Sequence, residues 1–86
     1  MADLKKKIMW QCRRGLWELD IILKPFAENS FETLNVEEQL LFQELLTFED
    51  IELFDILVNK LEPSEIKFIP IIKIMLEKHL EQLNEI

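Results

Sequence analysis

Eighty-six residues, 49% hydrophobic and 31% charged, set the scale of one small globular domain and exclude both a disordered chain and a two-domain enzyme. One Cys excludes an intramolecular disulfide and a Cys-rich zinc module, one His adds little metal-binding capacity, and a single Gly with three Pro argues against a turn-rich all-β fold. The net charge of −7 opposes nonspecific nucleic-acid binding, yet it is unevenly placed: residues 1–24 hold six cations and three acids, residues 25–86 four cations and fourteen acids.

The periodicity is helical throughout. Segment one runs from about Asp3 to Arg14, with Leu4, Ile8 and Cys12 on one stripe. Asp3 reads as its N-cap, Arg13 and Arg14 suit the negative end of the helix dipole, and Gly15 reads as the residue just past its end. Segment two runs from Leu16 to about Asn29 as one helix kinked at Pro25, with Leu16, Leu19, Leu23 and Phe26 inward. A loop through Ser30 and Thr33 leads to Asn35, which with Glu38 forms a capping-box pair opening segment three. Leu41, Phe42, Leu45 and Leu46 are its core positions. After a break at Thr47–Glu49, Asp50 reads as the cap of segment four, which buries Leu53, Phe54, Leu57 and Val58. A turn at Glu62-Pro63-Ser64 precedes segment five, about Glu65 to Asn84, with Ile69, Ile72, Leu76, Leu80 and Leu83 on one face; Pro70 near its start is tolerated there or marks a first-turn irregularity. The expected fold is therefore all-α: a compact five-helix bundle with short loops, one domain over residues 1–86. Its radius of gyration should be about 12 Å.

The N-terminus has lysines but no apolar segment or small-residue cleavage site, so a secretory signal is not expected. No run is long enough to cross a membrane. A lone Cys12 on an apolar stripe reads as a buried, inert thiol, compatible with the cytoplasm. His79, on segment five, reads as an ordinary helical residue. There is no glycine-rich phosphate loop, no Cys/His ligand set and no calcium-loop spacing. No catalytic constellation remains, and an enzyme is not expected; nor is a bound cofactor or metal.

One stretch stands out: Trp10-Gln-Cys-Arg13-Arg14-Gly15-Leu-Trp17-Glu18-Leu-Asp20. Two Trp, two Arg and two acids surround the only Gly, and Trp and Arg are the types most enriched in binding hot spots. Trp10 falls off the Leu4–Ile8–Cys12 stripe. Gly15 permits either a positive φ between two helices or the close approach of another molecule to bare backbone. Arg14 and Glu18, four apart across the junction, are positioned to face the same way. The competing reading is ordinary capping and dipole chemistry, with an Arg14–Glu18 surface pair contributing ~0–1 kcal/mol.

The block C-R-R-G-x-x-E-L-D, from Cys12 to Asp20 with Arg14, Gly15 and Glu18 as R-G-x-x-E, resembles the signature of the succinate dehydrogenase flavinylation (FAD assembly) factor family, the SdhE-type flavinators. Trp10 ahead of it, Pro25-Phe26 after it, and Leu45-Leu46 followed by Asp50, Leu53-Phe54 and Leu57 extend the likeness over roughly residues 5–60. The last helix is similar only in length and helicity, and Ile56 stands where many members carry Trp. The resemblance implies a helical assembly factor that binds the flavoprotein subunit of succinate dehydrogenase, or of fumarate reductase, and promotes covalent attachment of FAD to a histidine of that client. The FAD would belong to the client. Arg14, Gly15 and Glu18 would face it, joined by Arg13, Trp10, Trp17 and Asp20, and more weakly by Lys7. The alternative is an acidic, antitoxin-like regulator that binds a basic partner without flavin.

Overall fold

The computed structural model describes residues 2–84, and side chains from residue 4 to residue 81. Five α-helices and two 3₁₀ turns follow in order: α1 Ala2–Gln11, α2 Trp17–Asn29, a turn at Phe31–Thr33, α3 Val36–Leu45, α4 Asp50–Leu57, a turn at Ile66–Phe68, and α5 Ile69–Asn84. No strand occurs among the described residues, and the Cα radius of gyration is 12.0 Å.

Helix α2 is the hub and packs against α1, α4 and α5. Its buried residues Leu19, Ile22, Leu23, Phe26 and Ala27 recur at three-four spacing and form one broad apolar face. It runs as one helix through Pro25. The carbonyl deprived of a donor there belongs to Ile21, whose side chain lies on the exposed face. Phe42 of α3 is fully buried between Phe26 and Phe31, with ring centroids 5.1 and 5.9 Å away. Phe48 and Phe68 meet edge-to-face at 5.3 Å and tie the α3–α4 link to the start of α5.

The capping box that opens α3 is present in full. Glu38 N–H donates to Asn35 Oδ1 at 2.8 Å, and Asn35 N–H donates to Glu38 Oε1 at 3.0 Å. Four other expectations require correction. Asp3 does not cap α1, which already begins at Ala2. Helix α1 stops at Gln11, so Arg13 and Arg14 lie outside its last turn. The cap of α4 is Glu49, and Asp50 is its first residue; the Asp50 carboxylate is engaged elsewhere, as described below.

The fourth correction concerns segment five, which is broken. Pro70 has no N–H and its ring excludes a helical carbonyl four residues back, so Ile66–Phe68 form a tight 3₁₀ turn and α5 starts at Ile69. The core face of this region is Phe68, Ile71, Ile72 and Met75. Ile69 and Leu80 are exposed and Leu76 is half-buried, so the inward stripe lies about one residue back from the expected one. The Leu83 side chain lies outside the described residues. At the other end of the chain Leu4 is exposed, while Ile8 and Cys12 of the same stripe are buried.

Ile56 is 94% buried in the last turn of α4 and is a packing position. Among the described residues no helix is long and apolar enough to cross a membrane.

Candidate functional site

The link between α1 and α2 is a corner held by Arg14 of the link itself and by side chains from α2 and α4. As α1 ends, Cys12 N–H reaches Ile8 O at 3.0 Å and Arg13 N–H reaches Trp10 O at 3.1 Å, which tightens the last turn. The next two amides turn away from the helix. Arg14 N–H donates to Asp20 Oδ1 of α2 at 2.8 Å, and Gly15 N–H donates to Asp50 Oδ2 of α4 at 3.2 Å. Leu16, extended at φ −115° and ψ 121°, then enters α2 without a side-chain cap.

The Arg14 side chain runs inward and is 13% exposed. Its Nη1 donates to Phe48 O at 3.0 Å and to Asp50 Oδ1 at 3.3 Å, and its Nη2 donates to Leu46 O. The guanidinium therefore closes the C-terminal end of α3 and the link beyond it, where helix-end carbonyls lack donors. Arg14 Nε is buried without a partner among the described residues. Asp50 is bidentate in its own way, with one oxygen on Gly15 and the other on Arg14. This is why Asp50 is not available as a helix cap.

The Arg14–Glu18 surface pair of the competing capping reading is not formed: the acidic partner of Arg14 is Asp50. Nor does Gly15 adopt a positive φ; among the described residues that conformation is found at Lys60, with φ 60°. A Cβ placed on Gly15 would meet Asp50 Oδ2 at 3.4 Å, an ordinary contact. Neither local capping geometry nor backbone strain therefore explains the glycine.

The outer surface of the corner is different. Trp10 is 73% exposed and Trp17 67% exposed, Arg13 and Gly15 are exposed, and Glu18 is half-buried. A fold gains nothing from leaving two indoles in water, and exposed aromatic residues beside Arg fit a partner-binding surface. Trp10, Gln11, Arg13, Arg14 and Leu46 line a cleft of about 380 Å³. Trp17 and Glu18 lie on the first turn of α2 and line neither this cleft nor its neighbour; Lys7 is exposed and also lines neither. The sequence-derived residues thus separate into an inner set, Arg14 and Asp20, and an outer set, Arg13, Gly15, Trp17, Glu18 and Trp10. Asp50 is the residue that sequence reasoning placed in the wrong role. Its only signal was its place ahead of Leu53-Phe54 and Leu57 in the stretch that carries the family likeness.

Of the half-buried cation that lines the cleft, Arg14, both Nη atoms are committed to Leu46, Phe48 and Asp50, and Nε alone is left unpartnered among the described residues, which is short of the several donors a pyrophosphate requires. Among the described residues no cluster of three His, Cys, Asp or Glu side chains is placed to hold a metal. Cys12 is fully buried, and loss of hydration pushes its thiol up to about 12, against the lowering influence of Arg14. It is an inert core thiol at neutral pH. His79 is half-buried on α5, with Nδ1 unpartnered among the described residues.

The family described as flavinator of succinate dehydrogenase matches residues 6–84 of the chain. Similar proteins include the FAD assembly factor SdhE of Pectobacterium atrosepticum, 44% identical over 63 residues that cover 73% of this chain and 72% of that one. The FAD assembly factor SdhE of Coxiella burnetii is 43% identical over 68 residues, covering 79% and 83%. That of Wigglesworthia glossinidia brevipalpis is 38% identical over 71 residues, covering 83% and 84%.

Proposed function

The chain belongs to the succinate dehydrogenase flavinator family, and from that premise we propose that it binds the flavoprotein subunit of succinate dehydrogenase and promotes covalent attachment of FAD to it. The alternative client is the related subunit of fumarate reductase. The flavin and the histidine it joins belong to the client. This chain contributes binding and orientation and does not turn over a substrate alone. We place it in the cytoplasm, in keeping with its single buried, reduced thiol.

The observation that carries this reading is the division of the corner. Arg14, Asp20 and Asp50 fix the backbone of residues 14 and 15 from behind. Gly15, Trp17, Glu18, Arg13 and Trp10 are left in front, on a rigid support. A surface held from within loses little conformational entropy on docking and can impose one orientation on its partner. Gly15 lets client backbone approach closely, Glu18 offers a carboxylate to client donors, and the two indoles supply apolar area. Arg14 acts as a positioning residue through the shape of the corner.

The test is in-gel flavin fluorescence of the flavoprotein subunit in cells with and without the chain. Glu18→Ala and Trp17→Ala should leave circular dichroism and melting near wild type and lower covalent flavin on the client several-fold. Full covalent flavin with both variants would remove the outer surface from the mechanism. Capture of a small basic protein in place of the flavoprotein would favour an antitoxin-like role.

A further inference from the structure

We propose that the groove between α1 and α2 docks an acidic segment of the flavoprotein client; this rests on the functional reading above and extends it to a second, electrostatic contact. The groove has a volume of about 510 Å³ and is walled by Lys5, Lys6 and Arg13 from the α1 side and Lys24 from α2. Met9 and Trp10 give it an apolar floor, and Glu28 is the one acid on its wall. Lys5 also pairs with Glu32 at 3.3 Å. Even with both carboxylates counted, four cations face two acids, in a chain whose net charge is −7.

Folding does not account for this concentration of positive charge. The ion pairs among the described residues engage Lys5, Arg14, Lys67 and Lys78 and not Lys6, Arg13 or Lys24. Three cations gathered around one groove repel each other, which disfavours the free protein and is relieved when a carboxylate-bearing partner arrives. The occupant is further specified by the floor. Trp10 presents an exposed ring face and an indole N–H, and Met9 an adaptable thioether, so the matching segment interleaves apolar side chains with Asp or Glu. A nucleic acid fits less well, because residues 25–86 carry a net −10 that repels an extended polyanion.

The groove is continuous with the corner. Trp10 and Arg13 line both it and the adjacent cleft beside Arg14. A client seated on the corner therefore reaches the groove without a gap. The acidic segment would set the encounter rate and the register, while the corner supplies the close contact.

Lys6 and Lys73 provide the test. Both are exposed, on α1 and on α5, and only Lys6 lines the groove. Binding of the purified flavoprotein subunit of succinate dehydrogenase to the full chain is measured by calorimetry at about 0.05 M and about 0.3 M NaCl. Lys6→Glu and Lys24→Glu should each weaken binding by about fivefold at low salt, with the gap closing at high salt, while Lys73→Glu, the same charge change off the groove, stays within about twofold. Circular dichroism of all three should match wild type. If Lys73→Glu weakens binding as much as Lys6→Glu, the effect is one of net charge and the groove is overturned. Unchanged binding in both Lys6→Glu and Lys24→Glu overturns it too and leaves the functional reading intact. Failure of the wild-type chain to bind the subunit at any salt overturns both. Tighter capture of a single-stranded oligonucleotide than of the subunit overturns the acidic-protein assignment.

Discussion

Two connections in this molecule solve the same problem by opposite means. The α4–α5 link, after Leu57, closes on local backbone: Asn59 N–H returns to Phe54 O at 3.1 Å, Leu61 N–H returns to Asp55 O at 2.9 Å, and Lys60 adopts a left-handed φ of 60° to allow it. The α1–α2 link closes locally only as far as Arg13. Its Arg14 and Gly15 amides and its Arg14 side chain are held by groups 6 to 36 residues away. The glycine stands in the link that does not need a left-handed residue, and a lysine stands where one is needed. The teaching is that Gly15 is not there for its own backbone conformation. Its distinguishing property is the absence of a side chain on an exposed, externally braced corner.

The strongest way to break this contrast is Arg14→Ala. It removes the guanidinium from the Leu46 and Phe48 carbonyls and leaves Asp50 without its cation, and should cost about 3 kcal/mol of stability in urea or thermal denaturation. That is a large share of the total for a domain this small. Covalent flavin on the client should fall further than the fraction unfolded, because the corner loses its shape as well as its stability. Arg14→Lys restores a charge but not a fork that reaches two carbonyls and a carboxylate, so it should recover less than half of the loss. No substitution from Lys60 to Ser64 should approach the Arg14→Ala effect. A melting point for Arg14→Ala equal to wild type would show that the brace is not structural.

A smaller effect is expected at Asp50, which is partly exposed and serves one backbone amide and one guanidinium. Asp50→Ala should destabilise by about 1 kcal/mol, with covalent flavin on the client reduced beyond the fraction unfolded, because the front of the corner loses its support while the rest of the bundle persists. Loss of covalent flavin only in proportion to unfolding would deny Asp50 a positioning role. Next comes Lys60→Gly, which relieves a left-handed side chain and should raise stability by about 0.5–1 kcal/mol. Client binding should not change, since Lys60 lies in the link far along the chain from the corner.

What could be read in advance followed from the range of the interactions. The Asn35–Glu38 box is local, so a four-residue pattern revealed it and the structure contains it. The helices themselves, their core residues Leu19, Leu23, Phe42, Leu53 and Leu57, and the burial of Cys12 were legible because a single apolar stripe dominates each segment. The face of α5 was not: from Phe68 to Leu76 nearly every position is apolar, so spacing alone did not choose Phe68, Ile71 and Met75 over Ile69 and Leu80. The direction of Arg14 was invisible for another reason. Its acceptors at Leu46, Phe48 and Asp50 lie 32 to 36 positions on, and two of them are backbone carbonyls, which have no residue signature. The exposed Trp10 and Trp17 were legible because they fall off, or at the margin of, the apolar stripes.

The smallest effect on stability is the most informative about function. Gly15→Ala puts a methyl group 3.4 Å from Asp50 Oδ2, at a residue whose φ is not positive. The fold has room for it, and a less flexible unfolded chain offsets any slight crowding, so the change in stability should be within about 0.5 kcal/mol of zero. If the corner were only a structural hinge, that would end the matter and flavinylation would stay at the wild-type level. If client backbone packs against residue 15, the methyl group occupies the space reserved for it, and binding to the flavoprotein subunit should weaken at least tenfold, with Gly15→Arg worse still. The two measurements, a melting curve and a binding isotherm on the same Gly15→Ala protein, separate the alternatives because Lys60→Gly should show the reverse pattern: a gain in melting temperature and no change in binding.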